Sequence, residues 1–370
     1  MMKAVSKILR AIVVILAVIV LVPFCLTLVT MLLEGHDGAV YLFELALALI
    51  IAWYANVIVH EGGHLVFGLL CGYRFCSFRV GSLMMIRQQG RMNLRSYKLA
   101  GTGGQCLMVP PERESTKAEI ILYNLGGVIF NLVFAAMCFG LKKALPDVFL
   151  LSELLDISAF LSVINMAING IPLNAGGIAN DGMNAIQLSK DPEAMSSFRK
   201  ALLINAAQTE GAKTSEMPDE WFTLPEGADM QNPHNVAIAV FAAGRLFDGG
   251  DISEVEKATE ALLNSNYNII GLYRNLLTID LVYCRLVNGS GEVKKYLTPA
   301  MRKFMQTMKS YPSVIRTEYA VALLLDRDEK KASRIISDFE KSAHKFPYNQ
   351  EIDVERALMS KIAEKFKNNI

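Results

Sequence analysis

Two histidines and a glutamate stand close together in the sequence His60-Glu61-Gly62-Gly63-His64. A helix places residues four positions apart on the same face, so the side chains of His60 and His64 point in the same direction. Two imidazoles with this spacing can hold one metal ion, while the neighbouring carboxylate of Glu61 is placed to act as a base. The pattern therefore predicts a metal site with a base beside it.

The motif lies inside a long apolar run from Ala39 to Leu70. This run is long enough to cross a bilayer as one helix, which needs ~20 residues. Ionisable side chains are costly in hydrocarbon, and an intramembrane cluster of them therefore indicates a functional site. A chance match to the five letters is the alternative, and the position within a membrane-length helix argues against it.

A third metal ligand must come from elsewhere, because a catalytic zinc usually takes three protein ligands and keeps a fourth position for water. Asp181 is the best placed, since it follows shortly after the last apolar segment ends at Asn169-Gly-Ile-Pro172. Asp156 and Glu44 lie at the wrong depth in their segments. The other histidines lie across the membrane or in the polar part of the chain: His36, His234 and His344.

The composition indicates two parts of different character. The chain has 370 residues, of which 52% are hydrophobic and 20% are charged. It is too apolar for one soluble domain and too charged for a membrane bundle alone. A net charge of +1 gives no indication of a nucleic-acid partner, and none is expected. The six cysteines are scattered and are expected to be free thiols.

Four apolar segments of near-spanning length are predicted at about residues 8–33, 39–72, 118–141 and 148–173. The first follows a basic N-terminus and is too long for a signal peptide, so a retained anchor is expected. The loop between the second and third segments is cytoplasmic by the positive-inside rule, which also places both termini and the histidine pair at the cytoplasmic side of a multi-pass cell-membrane protein. The basic residues of this loop are Arg74, Arg79, Arg87, Arg91, Arg95, Lys98, Arg113 and Lys117.

A β-hairpin is predicted in the same loop. Residues 75–99 alternate imperfectly between apolar and polar side chains, and Gly90 is expected in the turn. The glycine-rich stretch 101–104 is expected to be a flexible loop. It lacks the strand–loop–helix setting and the lysine of a phosphate cradle, which argues against nucleotide binding.

The expected fold is therefore mainly α: a polytopic membrane bundle of about four helices with a small β-hairpin insert, followed by a soluble all-α domain. Predicted boundaries are 1–182 for the transmembrane domain, 183–235 for a linker with connecting helices, and 236–370 for a cytoplasmic helical domain. The last domain shows amphipathic patterns at 236–248, 252–264, 268–287, 292–309, 313–326, 328–345 and 349–367.

A short internal sequence repeat lies near the end of the chain. The stretch from Phe304 to Pro312 matches the stretch from Phe339 to Pro347 at an offset of 35 residues. Tetratricopeptide-like helical repeats have a period of ~34 residues and end in such a proline. A helical-repeat domain is therefore predicted, with an ordinary helical bundle as the alternative.

The motif in its membrane helix, followed by a distal Asn-x-x-Pro and an Asp-Gly pair, resembles the site-2 protease family of intramembrane zinc metallopeptidases. The resemblance covers roughly residues 39–185. It implies a bound Zn²⁺ with His60, His64 and Asp181 as ligands, and Glu61 as the catalytic base. The stretch from Gly127 to Asn131 also matches the Gly-x-x-x-Asn element of that family, although Val128 stands where the family usually has proline.

Two features depart from the family pattern. Eight residues separate Pro172 from Asp181, where the family usually has four. The common PDZ insert is missing, and a helical domain follows instead. The compact layout without a large extracytoplasmic insert is typical of a bacterial relative.

The resemblance implies an endopeptidase that cleaves membrane-anchored or membrane-associated peptides near the cytoplasmic face. Glu61 would take a proton from the attacking water and pass it to the leaving amine. Asn131 or Asn169 is a candidate for holding the oxyanion or the substrate backbone. The predicted hairpin offers an edge strand that could capture an extended peptide.

Two other classes of function stay open. One is a catalytically inactive membrane scaffold that binds or exports a peptide. The other makes the C-terminal helical domain a module that docks a protein partner and is merely tethered by the membrane part. The complete set of His60, Glu61 and His64 favours the enzyme, because a scaffold has no chemical need for Glu61.

Overall fold

The computed structural model describes residues 38–97, 102–145, 149–175 and 178–368. The described chain is mainly helical, as predicted, and carries a small antiparallel sheet. Three of its helices are long and apolar enough to span a membrane. The predicted apolar segment 8–33 lies outside the described residues, so the number of four membrane segments stays a prediction.

The three apolar helices are α1 (Gly38–Leu70), α2 (Lys117–Ala144) and α3 (Phe149–Gly170). Large apolar side chains are exposed along them, including Phe43 and Leu132. A helix that is apolar on every side is typical of contact with lipid, since water would not tolerate such a surface. Their lengths exceed the ~20 residues that a bilayer requires.

The chain divides into two compact parts. One comprises the described residues of 38–55 and 135–161, and in it Lys142 on α2 pairs with Asp156 on α3. The other comprises the described residues of 56–134 and 162–368. In this second part the hydroxyl of Ser162 on α3 donates to the buried Oδ1 of Asn56 on α1 at 2.5 Å. This second part also contains the sheet and all later helices.

The sheet has four antiparallel strands: β1 (Arg74–Val80), β2 (Leu83–Gln88), β3 (Arg91–Ser96) and β4 (Gly104–Val109). Their spatial order is β3-β2-β1-β4. Gly90 lies in the β2–β3 turn, as predicted, and both turn residues, Gln89 and Gly90, have positive φ (50° and 74°). That conformation matches the twist of a tight hairpin.

The prediction of a single hairpin at 75–99 was too simple, because the structure has three strands there. Its first arm is two strands, because Gly81 adopts a φ of 58° and the chain reverses there. Strand β4 was not predicted at all, since its start was interpreted as a flexible loop. It pairs with β1, a partner about thirty residues earlier, and sequence alternation does not reveal so distant a pairing.

After α3 the chain forms a two-stranded ladder of β5 (Asn174–Ala175) and β6 (Ile178–Ala179), then α4 (Asp181–Lys190) and α5 (Pro192–Glu210). The remaining helices are α6 (Pro233–Gly249), α7 (Ile252–Asn264), α8 (Gly271–Asn288), α9 (Pro299–Thr307), α10 (Pro312–Ala320), α11 (Glu329–Ala343) and α12 (Asn349–Lys367).

The predicted helix at 292–309 was wrong in its first half. Only a short 3₁₀ turn forms at Lys294–Tyr296, and α9 begins at Pro299. The hydroxyl of Thr298 accepts from the backbone N–H of Met301, so it caps the helix at this point. The tetratricopeptide-like repeat and the predicted domain boundaries stay predictions.

The end of α5 and the connection between α11 and α12 hold the tip of the β2–β3 hairpin. Gln88 donates through Nε2 to the carbonyls of Thr209 at 3.1 Å and Pro347 at 2.9 Å. Tyr97, just after β3, lies edge-on to Phe346 with 5.4 Å between ring centroids. The sheet is therefore fastened to residues near the end of the described chain.

Acidic side chains crowd together inside the C-terminal helices. Glu355 on α12 accepts from Nη1 of the buried Arg316 at 3.2 Å, and Arg316 also pairs with Asp280. Burial raises the pKa of Glu351, one turn earlier on α12, to about 8, and repulsion from Glu355 and Asp248 adds to this. Among the described ion pairs, Arg316 pairs with Glu355, and none includes Glu351. The repulsion on Glu351 is therefore not offset by a paired cation.

Glu351 therefore makes stability depend on pH. Its pKa in the folded chain lies above the ~4.3 of an unfolded glutamate, so the folded state holds a proton that the unfolded state releases. The stabilisation is fully present below pH ~4.3 and is lost as the pH rises towards 8, by at most about 1.4 kcal/mol per pH unit. We expect Glu351→Gln to flatten this decline in thermal unfolding measured from pH 5.5 to 8.5.

The control is Glu364→Gln, which changes an exposed glutamate on the same helix. This control should keep the wild-type dependence on pH. An equally steep decline in Glu351→Gln would show that Glu351 is not the group responsible.

Candidate metal centre

His60 and His64 present their rings on one face of α1, as their spacing predicts. The ring centroids are 4.9 Å apart, and the two Nε2 atoms are separated by 3.3 Å. Oδ2 of Asp181 lies 3.2 Å from Nε2 of His60 and 3.4 Å from Nε2 of His64. The structure thus brings the three predicted ligands together, although 116 residues lie between His64 and Asp181 in the chain.

The long spacing before Asp181 is taken up by the β5–β6 ladder. Leu173 and Asn180 meet at its open end, where the N–H of Asn180 donates to the carbonyl of Leu173 at 3.0 Å. Because β5 and β6 are antiparallel, the two ends of this insertion lie side by side. Asp181 then opens α4 beside the histidines. The departure from the family spacing therefore does not keep Asp181 from the cluster.

The outer nitrogen of each histidine also has a partner. Nδ1 of His60 lies 2.7 Å from Oδ1 of Asn131 on α2, and Nδ1 of His64 lies 2.8 Å from the backbone carbonyl of Tyr123. A carbonyl oxygen can only accept, so each Nδ1 carries the proton and donates it. Each Nε2 is then left with a lone pair directed at the cluster, which is the arrangement typical of histidines that ligate a metal.

The donor set fits zinc. Two Nε2 lone pairs and one carboxylate oxygen converge, and acceptors cannot satisfy one another. Within the described chain, Oδ2 of Asp181 is buried without a hydrogen-bond partner. Tetrahedral Zn²⁺ with bonds of ~2.0–2.1 Å separates its ligand atoms by about 3.3 Å. The observed separations of 3.2, 3.3 and 3.4 Å match that spacing.

Glycines on α1 and α2 allow the close packing that this geometry needs. A methyl group at Gly127 would lie 2.7 Å from Nδ1 of His60, directly against the ring. A methyl group at Gly63 would collide with the carbonyl oxygen of Gly126. In the stretch from Gly127 to Asn131, the first residue makes room for the imidazole of His60 and the last accepts a hydrogen bond from its Nδ1.

The side chain of Glu61 packs against Gly104, the first residue of β4. A methyl group at Gly104 would lie 2.6 Å from Oε1 of Glu61. The carboxylate of Asp181 and the guanidinium of the buried Arg79 both act electrostatically on its carboxylate. Glu61 is therefore close to the cluster without contributing one of its three converging atoms.

Arg79 was not predicted as part of the site. It lies on β1 with 1% of its surface exposed, and its guanidinium donates to the carbonyl of Gly81 at 2.7 Å and that of Gly104 at 3.1 Å. It also donates to the hydroxyl of Thr102. Arg79 thus fastens the start of β4 beside Glu61. The signal in the sequence that could have revealed it was an arginine placed between the apolar residues Phe78 and Val80.

The two candidate asparagines have different positions. Asn131 reaches the cluster, and it is fully buried with its Nδ2 lacking a partner among the described residues. Asn169 does not reach it by any described contact, because its Nδ2 donates back to the carbonyl of Asn165 in α3 at 3.1 Å. The oxyanion role stays a prediction for both.

A histidine pair on an apolar helix, a distant aspartate and an adjacent glutamate form the arrangement expected of a membrane metallopeptidase. The sequence model of Peptidase family M50, the site-2 protease family, matches residues 48–316. The match covers more than half of the chain, and the chain therefore belongs to this family. It begins at residue 48 and continues past residue 185, where the resemblance of the motifs ends, into α10. Searches of curated proteins and of solved structures found no match.

Membership of this family confirms the predicted peptidase class and the membrane setting. Together with the three apolar helices, it makes the chain a membrane metallopeptidase. The zinc ion is supported through the family and through the fit of the donor atoms.

The packing of Gly127 against His60 can be tested by Gly127→Ala. We expect its methyl group to displace the imidazole and to weaken zinc binding at least tenfold, because a shifted ligand loses its orientation. Zinc affinity would be measured by chelator competition on the detergent-purified protein.

The matched control is Gly140→Ala on the same helix, where a methyl group would meet no described atom within 4 Å. It should leave the affinity unchanged. Wild-type affinity in Gly127→Ala would contradict the packing argument.

Proposed function

We propose that this protein is an intramembrane zinc endopeptidase that cleaves membrane-anchored or membrane-associated peptides near the cytoplasmic face of a bacterial cell membrane. The observation that carries the proposal is the convergence of Nε2 of His60, Nε2 of His64 and Oδ2 of Asp181. These residues would hold Zn²⁺, which activates water and polarises a peptide carbonyl. Both termini are proposed to be cytoplasmic.

Glu61 would act as the general base. A base must lie within reach of the water whose proton it removes, and Glu61 is adjacent to the ligand His60 on α1. It would take that proton and deliver it to the leaving amine. The backbone of Gly104 covers its carboxylate, which supports a defined orientation for this transfer.

Asn131 is the better candidate for stabilising the carbonyl oxygen of the substrate. Its Nδ2 is a buried donor without a partner in the described parts of the chain, and such a group costs free energy unless it is satisfied. A substrate oxygen that gains negative charge would satisfy it. Asn169, whose amide already donates within α3, is the weaker candidate.

The face of the sheet supports an apolar, extended substrate. Leu83 and Leu94 are 57% and 66% exposed on one face, and the strand register continues this face through Val80 to Gly104 beside Glu61. The free edge of the predicted hairpin is β3, three strand spacings or about 14 Å from β4. We therefore propose that the peptide lies on this face near β4 rather than along the edge of β3.

The test compares membrane peptides in cells that carry wild-type protein or Glu61→Gln. Glutamine keeps the shape of glutamate but cannot take a proton, so we expect turnover to fall by at least 10²-fold while zinc stays bound. A membrane-associated peptide should accumulate uncut only in the variant. Mass spectrometry of the membrane fraction would detect it and identify the substrate.

Glu44→Gln serves as the matched control, because it changes a glutamate near the other end of the same helix. It should cleave like the wild type. If Glu61→Gln retained full function with equal expression and zinc content, the inactive scaffold that binds or exports a peptide would be the better description. Family membership favours the enzyme over that alternative.

A further inference from the structure

We propose that Asn180 is a positioning residue that holds the carboxylate of Asp181 in its place at the metal. The inference rests on the proposed zinc site and deepens it. Asn180 directly precedes Asp181 at the end of the β5–β6 ladder. The initial sequence prediction gave it no role.

The side chain of Asn180 joins three pieces of backbone. Its Nδ2 donates to the carbonyls of Ile168 at 2.5 Å and Ile171 at 2.6 Å, at the end of α3 where carbonyls have lost their helical partners. Its Oδ1 accepts from the N–H of Leu173 at 3.1 Å and of Met183 at 3.0 Å. All four hydrogen-bonding positions of the amide are thus used.

This clamp explains how a long connection can deliver a precise ligand. Eight residues lie between Pro172 and Asp181, and a longer connection leaves its ends with more conformational freedom. Asn180 removes that freedom, because it ties the first turn of α4 directly to the end of α3. The position of Asp181 then depends on the clamp and not on the length of the ladder.

An ordinary helix cap is the competing explanation. Asn180 does cap α4, since its Oδ1 accepts from Met183. A cap needs only the acceptor, whereas the clamp also needs the two donors on Nδ2. Asn180→Asp separates the two roles, because aspartate caps helices well and cannot donate to Ile168 or Ile171.

The experiment measures zinc affinity by chelator competition on the full-length protein in detergent. We expect Asn180→Asp and Asn180→Ala both to bind zinc 10- to 100-fold more weakly than the wild type, the usual cost of losing a group that orients a ligand. Agreement between the two variants would exclude the added charge of aspartate as the cause. The absorption spectrum of the Co²⁺-loaded protein provides a second readout, because it reports the ligand geometry directly.

Asn232→Asp is the matched control, since Asn232 caps α6 with its Oδ1 and donates through Nδ2 to Asp191 away from the site. It should bind zinc like the wild type. Wild-type affinity and spectrum in Asn180→Asp would overturn the clamp and leave only a cap. A wild-type protein that binds no zinc would instead overturn the zinc site itself, and the inference with it.

Discussion

The structure depends on the need to satisfy polar side chains on an apolar helix. His60, Glu61 and His64 lie on α1, where unpaired polar groups are costly. Asn131 and the carbonyl of Tyr123 accept hydrogen bonds from the two Nδ1 atoms, which leaves three acceptor atoms converging at 3.2–3.4 Å. Only a cation or added protons can stabilise such a group, and the spacing fits zinc. Residues of α2 and α4 meet this requirement, because Tyr123 and Asn131 lie on α2 and Asp181 begins α4.

Backbone proximity is the second constraint on the site. Gly127 admits the imidazole of His60, and Gly104 admits the carboxylate of Glu61, so helix and strand approach the motif from two sides. Protein interiors tolerate few voids and little overlap, and side chains at these glycines would force the motif apart. The small β-sheet is therefore part of the candidate centre rather than an appendage, with Arg79 fastening its nearest strand.

The C-terminal helical region after residue 235 makes direct contacts with the β-sheet. Gln88 at the hairpin tip donates to the carbonyls of Thr209 and Pro347, and Tyr97 packs on Phe346. The match to Peptidase family M50 also runs into this region as far as residue 316. Both observations favour a supporting role for these helices over the view that they form an independent docking module. Whether they also bind a protein partner stays a prediction.

The sequence by itself determined what depends on local periodicity and residue chemistry. The histidine spacing on an apolar helix, the family, the turn at Gly90 and most later helices could be read from it, because each is encoded within a few residues. Asp181 could be proposed only as the best-placed acid. The tertiary structure decided what depends on distant pairing: strand β4, the partners of His60 and His64, the roles of Arg79 and Asn180, and the exclusion of Asn169 from the described contacts of the cluster. The physical reason is that hydrogen bonds and close packing between segments far apart in sequence leave no periodic trace in either one.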